Sequence, residues 1–299
     1  MPDENELVPA RNSIGWYEAT IPIRGCALDL DQIKKFYVGL ARIKREFGEK
    51  VISTLTKDAD LDDGQWIEKK RFLLDDAFRV SITVRGHQNE QLYSEDQGIL
   101  QADNLPLPIR SISLTNASAW QRNAQNSMPP NRVEVLLDFG KPPLIDPATF
   151  VSEPTPNSSV VTISAHDMMY FRAVRQLVDE KLLGKRTIYS TIHRSYSYDV
   201  GIWLIALPAA LLLATYYMDK WLPAAGPHSS YRWAFFIYAV GTVLVGYRVL
   251  VSYTKWAFPV TVLKENKDSA WKHRAVIGGV LAWLFYKAVD IVWGLLTTI

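Results

Sequence analysis

The chain has 299 residues, 48% of them apolar, with 33 Lys+Arg against 31 Asp+Glu, a net charge of +2, and a single cysteine. Near-neutral charge, ample apolar content and one thiol exclude a disordered polyelectrolyte, a strongly basic nucleic-acid binder and a disulfide scaffold. The averages conceal a split: the last hundred residues hold 13 charged side chains and seven of the ten tryptophans, while the first 199 hold 51 charged ones. The split predicts a flexible N-terminus at 1–14, a soluble α+β head at 15–186, a juxtamembrane linker at 187–199 and an all-α membrane domain at 200–299.

The opening residues Met1 to Leu7 are acidic and lack the apolar core of a secretory signal. Tyr17, Ala19, Ile21 and Ile23 alternate, which predicts a first strand whose Pro22 marks an edge or an end. A helix is predicted from Asp29, with Ile33, Phe36, Tyr37, Leu40, Ile43 and Phe47 on one stripe. Asp29 and Gln32 form a capping box and Gly48 is the expected terminator. Residues 66–74 fit strand or helix equally. Alternation then predicts strands at 78–84, 109–115, 133–139 and 160–165, and a helix at 167–183. The order β-α-β-β-β-β-α puts no helix between most of the later strands, so an antiparallel sheet backed by helices is expected. Its uncovered face is the expected place for a ligand or partner. Residues 140–158 contain five prolines and read as an extended connection.

The chemistry-bearing residues form no recognised catalytic pattern. The five histidines are scattered, and with Cys26 as the sole thiol a zinc site is not expected. Phosphate-cradling glycine loops and nucleophile elbows are missing. The run from Asp58 to Lys69 imitates a calcium loop, but its glycine is at position seven and it ends in lysine, so it reads as an acidic turn. No catalytic residue, metal or cofactor is expected.

Three transmembrane helices are expected, at about 200–218, 233–253 and 275–296. The first is uncharged over 19 residues, about 28 Å of helix, with Pro208 in mid-span. Ala206, Ala210 and Ala214, and again Gly278 and Ala282, recur every four residues as candidate helix-packing faces. The intramembrane charged candidates are Arg248, placed to snorkel, and Lys287 with Asp290, placed to neutralise each other three residues apart. Lys181, Lys185, Arg186 and Arg194 precede the first span, and Lys255, Lys264, Lys267, Lys272 and Arg274 follow the second, while only Lys220 and Arg232 lie between the two. This asymmetry predicts a cytoplasmic head, a plasma or inner membrane location, and a C-terminus on the outer side.

The expected function is non-enzymatic: a ligand- or partner-sensing head coupled to the spans, with the lipid bilayer, a homo-oligomer and an unidentified cytoplasmic ligand or protein as partners, and no nucleic acid. The alternatives are an accessory or scaffold subunit of a larger membrane complex, and a tethered enzyme acting on lipid-linked or nucleotide substrates.

Overall fold

Alternating apolar residues build a sheet in the first part of the chain, and continuous apolar runs build helices in the last. The computed structural model describes residues 15–57, 59–142, 155–185, 188–266 and 270–297; the expected N-terminal tail and most of the proline-rich connection lie outside them. The chain divides into two compact units, one of residues up to Gly140 with Asn157–Thr187 and Thr261–Lys267, the other of Lys141–Pro156, Ile188–Val260 and the residues from Asp268 on.

In chain order the first unit comprises β1 (Tyr17–Pro22), β2 (Cys26–Leu28), α1 (Leu30–Ser53), α2 (Asp63–Ala77), β3 (Ser81–Gly86), β4 (Gln91–Ser94), β5 (Ile109–Thr115), α3 (Ala117–Asn123), β6 (Asn131–Asp138), β7 (Val160–Ala165) and α4 (Met168–Lys181). Six strands form an antiparallel sheet in the order β1-β7-β6-β5-β3-β4. Pro22 sits on β1, an edge strand, where a missing N–H costs no ladder bond on the open side. Ile82, Val84, Ile112, Leu114, Val133, Val135, Val161 and Ile163 share one buried cluster with Ile33, Phe36 and Leu40 of α1 and Val174 and Val178 of α4. Each such side chain contributes roughly 1.5–3 kcal/mol by leaving water.

Local chemistry explains the elements that the pattern does not predict. Residues 66–74 resolve as part of α2, because Asp62 accepts the Gln65 amide at 2.7 Å and Gln65 returns the bond to the Asp62 amide at 3.2 Å. The same cap carries the helix through Ala77, so β3 starts at Ser81, not at 78. The short elements β2, β4 and α3 are additions to the expected order. The acidic turn supplies Asp62 to this cap, and no cluster able to hold a metal occurs among the described residues.

The second unit contains α5 (Ser195–Gly201), a π turn over Ile202–Ala206, α6 (Leu207–Trp221), α7 (Arg232–Ala257) and α8 (Trp271–Thr297). The π turn lies immediately before Pro208, and the Leu207 amide reaches back five residues to the Ile202 carbonyl. Widening the helix there makes room for the proline ring without ending the helix. On α6, which packs on α7, the buried residues are Ala210 and Ala214, and Ala206 is buried one turn before. The large residues point outward: Trp203, Leu204 and Ile205 are 68%, 73% and 66% exposed.

Two helices, not the expected three, are long and apolar enough to cross a membrane among the described residues: Tyr196–Trp221 and Ser229–Ala257. The third expected span is helical as part of α8, a continuous helix that carries Lys272 and Arg274 in its first turn and Lys287 and Asp290 further on.

Candidate functional site

The most specific constellation in the first unit is a socket that receives a segment from the far end of the chain. The three residues of β2 are too few to hold an edge alone, and they pair in parallel with β8 (Thr261–Leu263), which lies between α7 and α8 in sequence. A parallel pair requires a long crossover, and here it runs through two apolar helices. Leu263 is buried in the main core beside Leu28 and Cys26. The Thr261 hydroxyl donates to the Ile23 carbonyl at 3.3 Å, and the Lys264 amide donates to the Leu28 carbonyl at 2.9 Å.

Three polar side chains finish the strap. The Asn266 amide donates to the Ile109 carbonyl at 2.7 Å and accepts the Ile109 N–H at 2.9 Å, copying a strand pair at the mouth of β5. Glu265 accepts the Leu30 N–H at 3.0 Å, one of the donors that the first turn of α1 cannot satisfy internally. The Lys264 ammonium lies 3.1 Å from Asp29, the N-cap of α1. Partial burial opposes ionisation of Asp29, but the Gln32 amide and the Lys264 ammonium outweigh it and hold its pKa below the ordinary value. The strap is therefore bound by backbone pairing, an apolar plug and charge together.

A second feature of this unit is Lys44 on α1. Its side chain is wholly buried, and its Nζ lies 5.8, 5.3 and 5.5 Å from the ring centres of Phe47, Phe78 and Trp120 with no hydrogen-bond partner. Burial alone lowers its pKa from 10.5 to about 7. The aromatic faces compensate part of the lost hydration. Residues Ile52, Ala77, Phe78, Trp120 and Ala124 close this cage, joining α2 and α3 to α1.

The face of the sheet opposite the core carries Thr83, Ser111, Ser113, Thr115, Thr162 and Ser164, all half-buried, and an Arg132–Glu134 ion pair at 2.6 Å. Hydroxyls suited to hydrogen bonding are interspersed there with Tyr93, Leu136 and Val160.

In the second unit a buried histidine gathers three segments. His193 Nε2 donates to the Phe258 carbonyl at 2.6 Å, its Nδ1 meets the Thr155 hydroxyl at 2.9 Å, and its own carbonyl accepts the Thr155 amide. Burial holds the imidazole below its ordinary pKa, although the Phe258 carbonyl favours the protonated ring.

Of the residues marked out by the sequence pattern, Ala206, Ala210 and Ala214 are buried. Gly278 and Ala282 are exposed, and a Cβ at Gly278 would meet nothing within 4 Å. Arg248 is exposed on α7, and Lys287 and Asp290 lie 3.6 Å apart along α8. None of these belongs to the socket. The strap itself has only a faint signal in sequence, Pro259-Val-Thr-Val-Leu263, a β-branched run too short to alternate. Lys44 has a signal too, since it continues the stripe of Tyr37 and Leu40 four residues on. No family model, no curated protein and no solved structure matches this chain.

Proposed function

We propose that this chain is an integral membrane protein whose soluble domain senses a ligand or partner and passes that state to its apolar helices through the strap. The observation that carries the reading is the folding of Thr261–Lys267 into the sheet-bearing unit, directly between α7 and α8. If the two apolar helices cross a bilayer, residue 185 and residue 261 must then lie on one side of it, so α6 and α7 form a re-entering hairpin. The basic residues flanking that hairpin support a cytoplasmic side for the soluble domain and the cell membrane as its location. A change at the socket would act on the end of α7 through a few residues of backbone.

Single-cysteine labelling tests the membrane half of this reading, after replacing the buried Cys26 by serine. A membrane-impermeant maleimide should label His228→Cys in intact cells and Gln121→Cys only after lysis. Equal labelling of both, or recovery of the chain in the soluble fraction without detergent, refutes the hairpin. Hydrogen exchange tests the coupling half: Leu263→Asp should speed exchange near the C-terminal end of α7, and unchanged exchange there refutes transmission through the strap.

An accessory or scaffold subunit is the second reading. It is favoured by α8, whose described side chains from Gly278 to Asp290 are all exposed. Co-purification of a stoichiometric partner chain from the native membrane would select it.

A further inference from the structure

The Lys44 cage is also the joint by which α2 and α3 sit on α1. Its three rings come from three places: Phe47 from α1, Phe78 from the residue that ends α2, and Trp120 from α3. Phe78 and Trp120 meet edge-on at 5.5 Å. Gly48 lets the Phe78 ring rest on α1, since a Cβ there would lie 2.6 Å from that ring. The joint is small. Neither α2 nor α3 contributes a buried residue to the main core, and along α2 only Trp66 and Ala77 are buried. At its centre stands an amine that is wholly buried and has no hydrogen-bond partner.

The charged groups of the surrounding elements are engaged with one another. Arg45 of α1 pairs with Glu49 and with Asp75 of α2. Asp76 of α2 accepts from Asn123 of α3 at 2.7 Å. Arg122 of α3 lies 2.6 Å from Glu95, just past β4, and Arg79 lies 4.0 Å from the same carboxylate. Burial pushes up the phenols of Tyr37 on α1 and Tyr170 on α4, Tyr37 to about 12, so both are neutral near pH 7. An ammonium at Lys44 therefore has only ring faces in place of its water, which compensate part of the lost hydration.

We propose that Lys44 is a proton-operated latch: charging its amine releases α2 and α3 from α1 while the sheet stays folded. The neutral amine loses far less hydration in the cage than the ammonium does. Proton uptake creates an unpaired buried charge, and its relief requires only the cluster of Ile52, Ala77, Phe78, Trp120 and Ala124 to part. The main core, which joins α1 and α4 to the sheet, contains no such group. Burial alone sets the closed-state pKa at about 7, against 10.5 for the ordinary lysine that opening restores. The open form thus binds the proton more tightly, so opening grows as pH falls between those values and levels off below them. The inference stands on the sheet-bearing unit alone and does not rest on the membrane reading.

Hydrogen exchange of the full chain in mild detergent, resolved by segment and corrected for the intrinsic pH dependence of exchange, tests the latch. Between pH 8.5 and pH 7.0, exchange in α2 and α3 should speed up by about tenfold, while β5 and β6 change by less than about twofold. Lys44→Met and Lys44→Leu remove the proton site and keep an apolar side chain in the cage. In both, α2 and α3 should exchange at the slow rate at either pH, and protected β5 and β6 show that the variants are folded. An unchanged rate in the wild-type chain, equal acceleration in β5 and β6, or acceleration that persists in the folded variants overturns the proposal.

Discussion

The two units bury opposite kinds of residue. In the sheet-bearing unit the wholly buried side chains include Trp120, Phe36 and Tyr37, whereas in α6 the buried residues are alanines, and Trp221 on it and Trp203 in the π turn before it point outward. Water makes the first arrangement favourable, since each large apolar side chain withdrawn from it is stabilising. The second arrangement leaves that stabilisation unused unless the surroundings are apolar as well; small residues then let backbones approach closely while the large ones meet lipid. The difference teaches that exposure alone carries no energetic meaning until the solvent on each surface is specified.

The strongest way to break the contrast is at the strap, where a residue encoded among the apolar helices is buried by the rules of the sheet-bearing unit. Leu263→Asp puts a carboxylate into the main core, and denaturant unfolding should show a loss on the order of 4 kcal/mol. Lys44→Met acts in the opposite direction. The folded pKa of about 7 lies below the unfolded value near 10.5, so the unfolded chain binds the extra proton between those limits and stability rises with pH across that window. The methionine variant should lack that slope and gain stability on the order of 3 kcal/mol at pH 7, as read from urea midpoints at several pH values.

Two nearly equally exposed apolar residues sharpen the comparison directly. Leu204 is 73% exposed on the helical unit and Met169 is 71% exposed on the sheet-bearing one. Leu204→Lys should cost about 2.5–3.5 kcal/mol of membrane insertion, seen as lost retention in the membrane pellet. Met169→Lys should change stability by no more than about 0.5 kcal/mol in the same denaturant assay. The smallest change at the strap is Asn266→Ala, which removes both bonds to Ile109 and should cost about 1–2 kcal/mol, with faster proteolysis at the strap as the readout.

Much of the sheet is legible in the residue pattern alone. Strands β6 and β7, and β5 from Ser111 on, alternate because one face meets the core and the other does not, and the capping box at Asp29 and Gln32 marks the start of α1. Helix α2 resists such reading because only Trp66 and Ala77 along it are buried, which leaves a weak stripe. The β2–β8 pair resists it for a different reason: each strand has three residues, and neither periodicity nor turn chemistry records a partner so far along the chain. The Lys44 cage is hidden because residue type suggests a solvated side chain, although position on the stripe points inward. The last expected span is helical in α8 and carries the expected Lys287–Asp290 pair, but it is not among the two helices that are long and apolar enough to cross a membrane among the described residues.

The strap also sets an order of events during synthesis. Leu30 and its partner Glu265 are 235 residues apart, and the intervening chain includes both apolar helices. At roughly 5–20 residues per second, the early sheet strands and α1 leave the ribosome many seconds before their last strand exists. The β2–β8 pair of the sheet-bearing unit therefore cannot form until both apolar helices have been made. Its closure follows the synthesis of α6 and α7 and can precede that of α8, the last helix in the chain.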